Sequence, residues 1–232
     1  MKVDPATISS DAAYQWMTAS IVPRPIAWTS TLNQDGSANL APFSFFTGVT
    51  SDPPTCLLCV SRHGGTRKKD TWVNIERTGE YVIHVVSDAL AAQMNQTARV
   101  VPYGVDELVA AGLTKLPSER VAPPRVAEAP VAMECRLDRI VEVGRAGTAI
   151  IIGEILLWHV RDDLLTGGRL DPGRLDAVGR LGGDRQRVGA VGQGISVTVG
   201  AIPVEAVVAF GGRAGPVVNH GARRVGDREQ SG

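Results

Sequence analysis

The chain has 232 residues, of which 44% are hydrophobic, and its 24 basic residues match its 24 acidic ones in number. This length fits one large domain or two small ones, and the neutral balance argues against nonspecific binding to nucleic acid, which needs a basic surplus. The longest apolar run, 148–160, is shorter than the roughly 20 residues of a membrane span and contains Glu154. Because the N-terminus lacks the charged-then-apolar pattern of a signal peptide, we expect a cytoplasmic protein that does not bind membranes.

Local patterns predict strands joined by tight turns, with short helices between them. Asp35-Gly36 predicts a hairpin turn between the first two strands, because glycine adopts a positive φ at little cost. In chain order, the predicted elements are a helix over 11–17 capped by Ser10 or Asp11, strands over 26–32, 38–46 and 55–61, a helix over 70–78 capped by Asp70 and ended by Gly79, a strand over 81–86, helices over 89–98 and 105–111, an extended loop over 117–130, and strands over 131–143 and 148–160. This order favours a mainly β fold with inserted short helices, closed into a largely antiparallel barrel, because closure removes exposed edges.

The three cysteines are an odd number, which argues against a disulfide scaffold. Cys56 and Cys59 have the Cys-x-x-Cys spacing of redox and zinc sites. They fall in a predicted buried strand, however, where residues three apart point to opposite faces and cannot share one metal ion. We therefore expect two small core residues and no metal site.

A basic turn precedes the predicted helix at Asp70. Arg67, Lys68 and Lys69 stand where the unpaired N–H groups of a helix N-terminus lie, and Gly64-Gly65 upstream leaves the backbone free to approach a ligand. This combination predicts a phosphate site, although a solvated charged turn would have the same sequence.

The first two predicted strands carry polar groups among apolar ones. Short hydroxyls and an amide are suited to binding ribityl, phosphate or ring atoms, and the aromatic residues offer surface for a flat ring; these residues are Trp28, Ser30, Thr31, Asn39, Ser44, Phe45 and Phe46. Each has an ordinary alternative, because Ser and Thr are common in strands and aromatic residues are common in cores.

The blocks 24–31, 39–46, 69–75, 79–82 and 180–184 appear in an order and spacing that resembles the flavin reductase-like family. Its members are FMN-binding split barrels and include the reductase components of two-component monooxygenases. The resemblance implies a six-stranded Greek-key split barrel that forms homodimers, with FMN rather than FAD as cofactor and NADH or NADPH as reductant. It also implies a monooxygenase as partner.

The resemblance also implies the flavin-binding residues. Those lining the flavin would be Trp28, Thr29, Ser30, Thr31, Asn39, Ala41, Pro42, Ser44, Phe45 and Phe46, and those near the phosphate and ribityl chain would be Ser61, Arg62, Lys69, Asp70, Thr71 and Arg180. No catalytic side chain is required, because the hydride chemistry belongs to the cofactor. His159, at the end of a predicted strand, is a candidate neighbour of the nicotinamide.

The resemblance leaves three alternatives open. The chain is either a flavin reductase, a non-catalytic FMN-binding electron-transfer protein, or a flavoenzyme like pyridoxamine-phosphate oxidase; a flavin-free binding module is the alternative outside this class. The resemblance ends near Asp184, where Gln186 stands in place of the aromatic residue usual in the family. We therefore predict a split-barrel domain over 1–186 and a weakly ordered Gly/Val-rich extension over 187–232.

Overall fold

A computed structural model describes residues 1–182 and the backbone of 187–190. The strands are β1 (Arg24–Pro25), β2 (Ala27–Leu32), β3 (Ala38–Phe43), β4 (Phe46–Ser51), β5 (Pro54–Val60), β6 (Glu80–His84), β7 (Lys115–Leu116), β8 (Arg125–Val126), β9 (Val131–Val143), β10 (Thr148–Val160), β11 (Leu165–Thr166), β12 (Arg169–Leu170), β13 (Val178–Leu181) and β14 (Arg187–Ala190). The α-helices are α1 (Ser10–Ser20), α2 (Asp70–Thr78), α3 (Ala91–Gln96) and α4 (Glu107–Ala110), with 3-10 turns at Pro5–Thr7, Asp88–Leu90 and Asp162–Leu164. The fold is mainly β with inserted short helices, as predicted.

The main sheet has seven strands in the order β3-β2-β6-β9-β10-β5-β4, and all its pairs are antiparallel. Laid flat, six inter-strand spacings would put its edges nearly 30 Å apart, at about 4.8 Å each. Yet β3 and β4, the two edges, are joined only by Ser44 and Phe45, and so short a link spans at most about 10 Å. The sheet must therefore curl until its edges meet, which is a barrel with a split between β3 and β4.

This link corrects one sequence prediction. The expected single strand over 38–46 is wrong, because β3 ends at Phe43 and β4 starts at Phe46 on the other edge of the sheet. The Phe45 carbonyl accepts a hydrogen bond from the Cys59 N–H (2.8 Å), which ties the link to β5. The sequence shows no break here, since apolar and hydroxyl residues continue through it.

Helix boundaries depart from the predictions mainly at the caps. α2 covers the predicted 70–78 and ends at Gly79 with φ of 71°, but its N-cap is Lys69 and not Asp70. The N-cap of α1 is Ser9, whose hydroxyl accepts the Ala12 N–H. The helix predicted over 89–98 is a 3-10 turn followed by α3. The loop predicted over 117–130 contains the short strand β8, whereas β9 and β10 have the predicted bounds.

The barrel interior is filled from the sheet and from one face of α2. Trp72 and Ile75 of α2 are fully buried against Leu58 and Ile151. Cys56 and Cys135 lie in the same core and Cys59 is half-buried, and all three thiols are free. The Cys-x-x-Cys pair therefore belongs to the packing of β5.

No helix in the described part of the chain is long and apolar enough to cross a membrane.

β14 pairs with β13, which in turn pairs with β1 in a small second sheet. Apart from the backbone of β14, the predicted extension over 187–232 lies outside the described residues, as do Gly183 and Asp184 of the last sequence block.

Candidate functional site

A cleft of about 260 Å³ opens beside the edge strand β3. Its walls are β3, the N-terminus of α2, the segment 97–101 that follows α3, the start of α4, and Arg180 of β13. These elements are distant in sequence and meet beside β3, an edge strand of the main sheet.

One side of the cleft is cationic. Lys69 and Arg180 both line it, and Lys69 Nζ lies 5.7 Å from the centroid of the Phe43 ring. Burial lowers the pKa of Lys69, and the nearby charge of Arg180 lowers it further. Burial also lowers the pKa of Arg180, whose buried Nε has no hydrogen-bond partner among the described residues. Such charges are costly to bury unless an anion offsets them.

Arg24 adds a third cation behind this pair. It is the cross-strand partner of Arg180, is almost fully buried, and donates to the carbonyls of Thr18 and Ile21. None of the three cations forms an ion pair with a carboxylate in the part of the chain that the structure describes. The positive charge of this cluster is therefore not neutralised by a carboxylate among the described residues.

Acidic side chains also line the cleft. Asp70 and Glu107 line it, and Glu107 Oε2 accepts the Leu40 N–H at 2.7 Å. Asp106 Oδ2 accepts the Ala38 N–H at 3.0 Å, so two carboxylates satisfy the outward N–H groups of β3 and protect this edge from pairing with another chain. Burial raises the pKa of Glu107 to about 7, and the charges of Asp70 and Asp106 add to the rise.

A buried amide–hydroxyl network supports the wall of the cleft. Thr31 Oγ1 accepts hydrogen bonds from the side-chain amides of Asn39 (3.1 Å) and Asn74 (3.0 Å). Asn39 also donates to Thr71 Oγ1 (2.9 Å), and Asn74 donates to Asn33 Oδ1 (2.8 Å). The network joins β2 and β3 to α2, and so fixes Asn39 and the N-terminus of α2 relative to each other.

The structure brings together seven of the predicted flavin-binding residues. The cleft is lined by Asn39, Ala41, Pro42, Lys69, Asp70, Thr71 and Arg180. It is also lined by residues that the sequence did not single out, namely Phe43, His63, Thr97, Ala98, Arg99, Val100, Val101 and Glu107. Phe43 is part of β3, the loop before α2 brings His63 to the cleft, and the segment from the end of α3 to the start of α4 brings the rest. No local motif marks them.

The β2 side chains lie behind the cleft and do not line it. Trp28, Thr29, Ser30 and Thr31 are fully buried. Trp28 Nε1 donates to Thr97 Oγ1 (2.9 Å), and Ser30 Oγ donates to the Pro124 carbonyl (2.6 Å). Their polar groups are therefore engaged within the protein.

The remaining predicted residues also lie outside the lining. Ser44, Phe45 and Phe46 are half-buried near the β3–β4 link, and the Phe45 ring meets Tyr14 edge-on. Ser61 is exposed. Arg62 pairs with Glu142 (2.8 Å) and its guanidinium lies 4.7 Å from the Trp72 ring centroid, so its charge already has partners.

His159 lies away from the cleft. Its Nε2 is 2.6 Å from Oε1 of Glu134, a fully buried carboxylate that also accepts the N–H groups of Glu119 and Arg120. This arrangement ties the 119–120 loop to β9 and β10. The geometry gives no support to a role for His159 beside a nicotinamide.

No group of His, Cys, Asp and Glu within the described residues is arranged to hold a metal ion.

The sequence profile of the Flavin reductase like domain matches residues 18–173. The chain belongs to this family. An uncharacterized protein of Deinococcus radiodurans is 41% identical over 187 residues, which cover 78% of this chain and 82% of the relative.

Solved structures agree with this assignment. Nitrilotriacetate monooxygenase component B from Bacillus cereus superposes with a TM-score of 0.79 at 31% identity, covering 85% of this chain and 98% of that protein. A protein of Shewanella frigidimarina described as a putative flavin reductase with a split barrel domain superposes with a TM-score of 0.71 at 22% identity, covering 87% of this chain and 100% of that protein. The split barrel is thus the fold of this chain.

Proposed function

We propose that the chain binds FMN in the cleft and transfers hydride from NADH or NADPH to flavin. The observation that carries this proposal is the pair of half-buried cations, Lys69 and Arg180, which line one cleft without a carboxylate partner among the described residues. A phosphate group offsets both charges and gives the orphaned Nε of Arg180 an acceptor.

The residues present fit a flavin nucleotide in other respects. No side chain caps the N-terminus of α2, so its first-turn N–H groups are available to an anion beside Lys69. Ala41, Pro42 and Phe43 give the neighbouring wall an apolar surface. When bound, FMN supplies the hydride-accepting ring. Lys69, Arg180 and the N-terminus of α2 would hold the phosphate, and the apolar surface of β3 would exclude water from the ring.

Two further features support the proposed assembly. The likeness to a monooxygenase component B supports a role in delivering reduced flavin to a partner monooxygenase. Trp16 and Met17 of α1 and its C-cap residue Ile21 are each about half accessible, and this apolar surface supports burial in a homodimer. Light scattering of the purified protein tests the dimer. Location in the cytoplasm stays a prediction from the sequence.

Flavin binding is tested by titrating FMN into the apoprotein and following the quenching of its fluorescence. We expect Arg180→Lys and Lys69→Ala to weaken binding at least tenfold each, because a charge-assisted hydrogen bond contributes about 1.5–3 kcal/mol. Lys68→Ala is the matched control, since Lys68 bonds Glu76 (2.8 Å) and does not line the cleft. Equal affinities in all these variants would contradict the phosphate placement.

Hydride transfer is tested separately by anaerobic stopped-flow spectroscopy. The FMN-loaded protein is mixed with NADH or with NADPH. We expect the flavin absorbance to bleach, and to bleach faster with one nucleotide than with the other. FMN binding without bleaching by either nucleotide would favour the electron-transfer protein or an enzyme like pyridoxamine-phosphate oxidase. Repeating the titration with FAD decides which flavin is preferred.

A further inference from the structure

Glu107 is a nearly buried carboxyl group of the cleft, and the proposed binding of FMN gives it no role so far. It is the first residue of α4, only 7% exposed, and it lines the cleft. Its Oε2 accepts the Leu40 N–H, whereas Oε1 receives no hydrogen bond from the described residues. The charge of an ionised carboxylate at Oε1 would therefore be stabilised only by water that enters the cleft.

Besides burial, two neighbouring carboxylates favour the neutral form of Glu107. Asp70 of α2 and Asp106, the N-cap residue of α4, raise its pKa, although the Leu40 N–H acts in the opposite direction and Asp106 is itself paired with Lys115. The other charged or titratable groups of the cleft are His63, Lys69, Arg99 and Arg180. None of these cations forms an ion pair with Glu107 within the described residues.

We propose that Glu107 takes up a proton from water when a flavin nucleotide binds in the cleft, and that the resulting carboxylic acid donates a hydrogen bond from Oε1 to an acceptor on the ligand. This inference rests on the proposed function. Two physical effects act in the same direction: a ligand lying over Glu107 removes its remaining hydration, and the phosphate adds negative charge to the cleft. Both disfavour the ionised carboxyl group.

By linkage, a group that gains a proton on binding makes the affinity depend on pH. With a pKa of about 7 in the free protein, much of Glu107 is ionised at pH 7.5. Binding of FMN should therefore take up a measurable fraction of a proton, and at most one, per ligand at this pH. The Kd for FMN should rise with pH above 7, by up to about tenfold per pH unit.

Calorimetric titration of FMN at pH 7.5, in two non-phosphate buffers of different ionisation enthalpy, measures this uptake directly. Glu107→Gln should abolish the uptake and flatten the rise of Kd with pH. Glu76→Gln removes an equal charge from an exposed site outside the cleft, and should behave as wild type. His63→Gln is the second control, because a bound phosphate would also favour protonation of His63. FMN itself contributes little, since its second phosphate pKa lies near 6.

Two results would overturn this inference and leave the proposed function intact. One is FMN binding to the wild type without proton uptake, and the other is proton uptake by Glu107→Gln equal to that of the wild type. If the uptake disappears in His63→Gln instead, His63 is the proton acceptor and the inference is wrong. Failure of the wild type to bind FMN would end the proposed function as well. Should Glu107→Gln not fold, difference infrared spectroscopy of the wild type decides. FMN addition must produce a protonated-carboxyl band that shifts in D2O, and its absence would overturn the inference.

Discussion

The phenol of Tyr81 lies directly over Gly153, so that a Cβ at position 153 would clash with Tyr81 Oη. Tyr81 belongs to β6 and Gly153 to β10, on either side of β9 in the sheet. The ring is fully buried, and its hydroxyl has no hydrogen-bond partner among the described residues. Gly153 is thus the residue that leaves room for a tyrosine inside the barrel, and it coincides with an irregularity in the β9–β10 register.

Gly153→Ala should destabilise the protein by about 2 kcal/mol or more, because the added methyl group overpacks the interior. The backbone carbonyl of Arg136 would also lie 2.7 Å from the new Cβ, so moving the tyrosine alone cannot relieve the clash. Urea denaturation measures the change. Gly48→Ala on β4 is the matched control, because nothing lies within 4 Å of a Cβ there. Equal stabilities of the two variants would contradict this account.

Thr31→Val should cost about 2 kcal/mol of folding free energy, because both Asn39 and Asn74 lose a hydrogen-bond acceptor for a buried amide. We also expect weaker FMN binding, since Asn39 lines the cleft. Thr29→Val on the same strand should cost less, because Thr29 Oγ1 accepts no hydrogen bond from the described residues and only donates to Ala27 (3.2 Å). Thermal unfolding of both variants provides the comparison.

His84 should make stability fall in mild acid. The ring is fully buried, its Nδ1 pairs with the Trp28 carbonyl and its Nε2 accepts the Val126 N–H. Burial lowers the pKa of His84 from 6.5 to about 4. Between these two values the unfolded chain binds a proton that the native state does not, so stability is full above pH 6.5 and decreases as pH falls toward 4, by roughly 3 kcal/mol in all.

His84→Gln tests this pH dependence, because glutamine can donate and accept in similar directions but does not titrate. Its stability measured from pH 7.5 to 4.5 should vary less than that of the wild type. The difference between the two proteins isolates His84 from the carboxylates that titrate over part of the same range. Parallel curves would show that His84 does not contribute.

Lys69→Ala alone should account for the loss of FMN affinity in the Lys69→Ala, Ser44→Ala double variant. Ser44 is a short hydroxyl that the sequence suggests as a phosphate or ribityl contact, but it does not line the cleft, whereas Lys69 does. We expect a loss of about tenfold or more from Lys69→Ala, and little change from Ser44→Ala. Fluorescence titration of the three variants checks this, and a large effect of Ser44→Ala would extend the binding site toward the β3–β4 link.

The sequence predicts the fold better than the site. Local chemistry defines the ends of its elements, as Asp35-Gly36 does for the β2–β3 hairpin and Gly79 for the end of α2. Lys69 is recognisable for a similar reason, because a basic run before a helix is a local pattern. Local sequence does not determine which way the side chain of a strand residue points. The sequence therefore predicts Thr31 as a ligand contact, although it is the centre of a buried network. Glu107 could not be found, because its partner Leu40 is remote in sequence and the helix that carries it has only four residues.

Ser44 and Phe45 form the short connection between β3 and β4. Most connections on a protein surface tolerate extra residues, since lengthening a slack loop changes little. This connection has only two residues, and it joins the two edge strands of the curled sheet. An insertion there would widen the split between β3 and β4 and would displace β3 relative to α2. Inserting about one residue would therefore damage the cofactor cleft without changing any side chain that lines it.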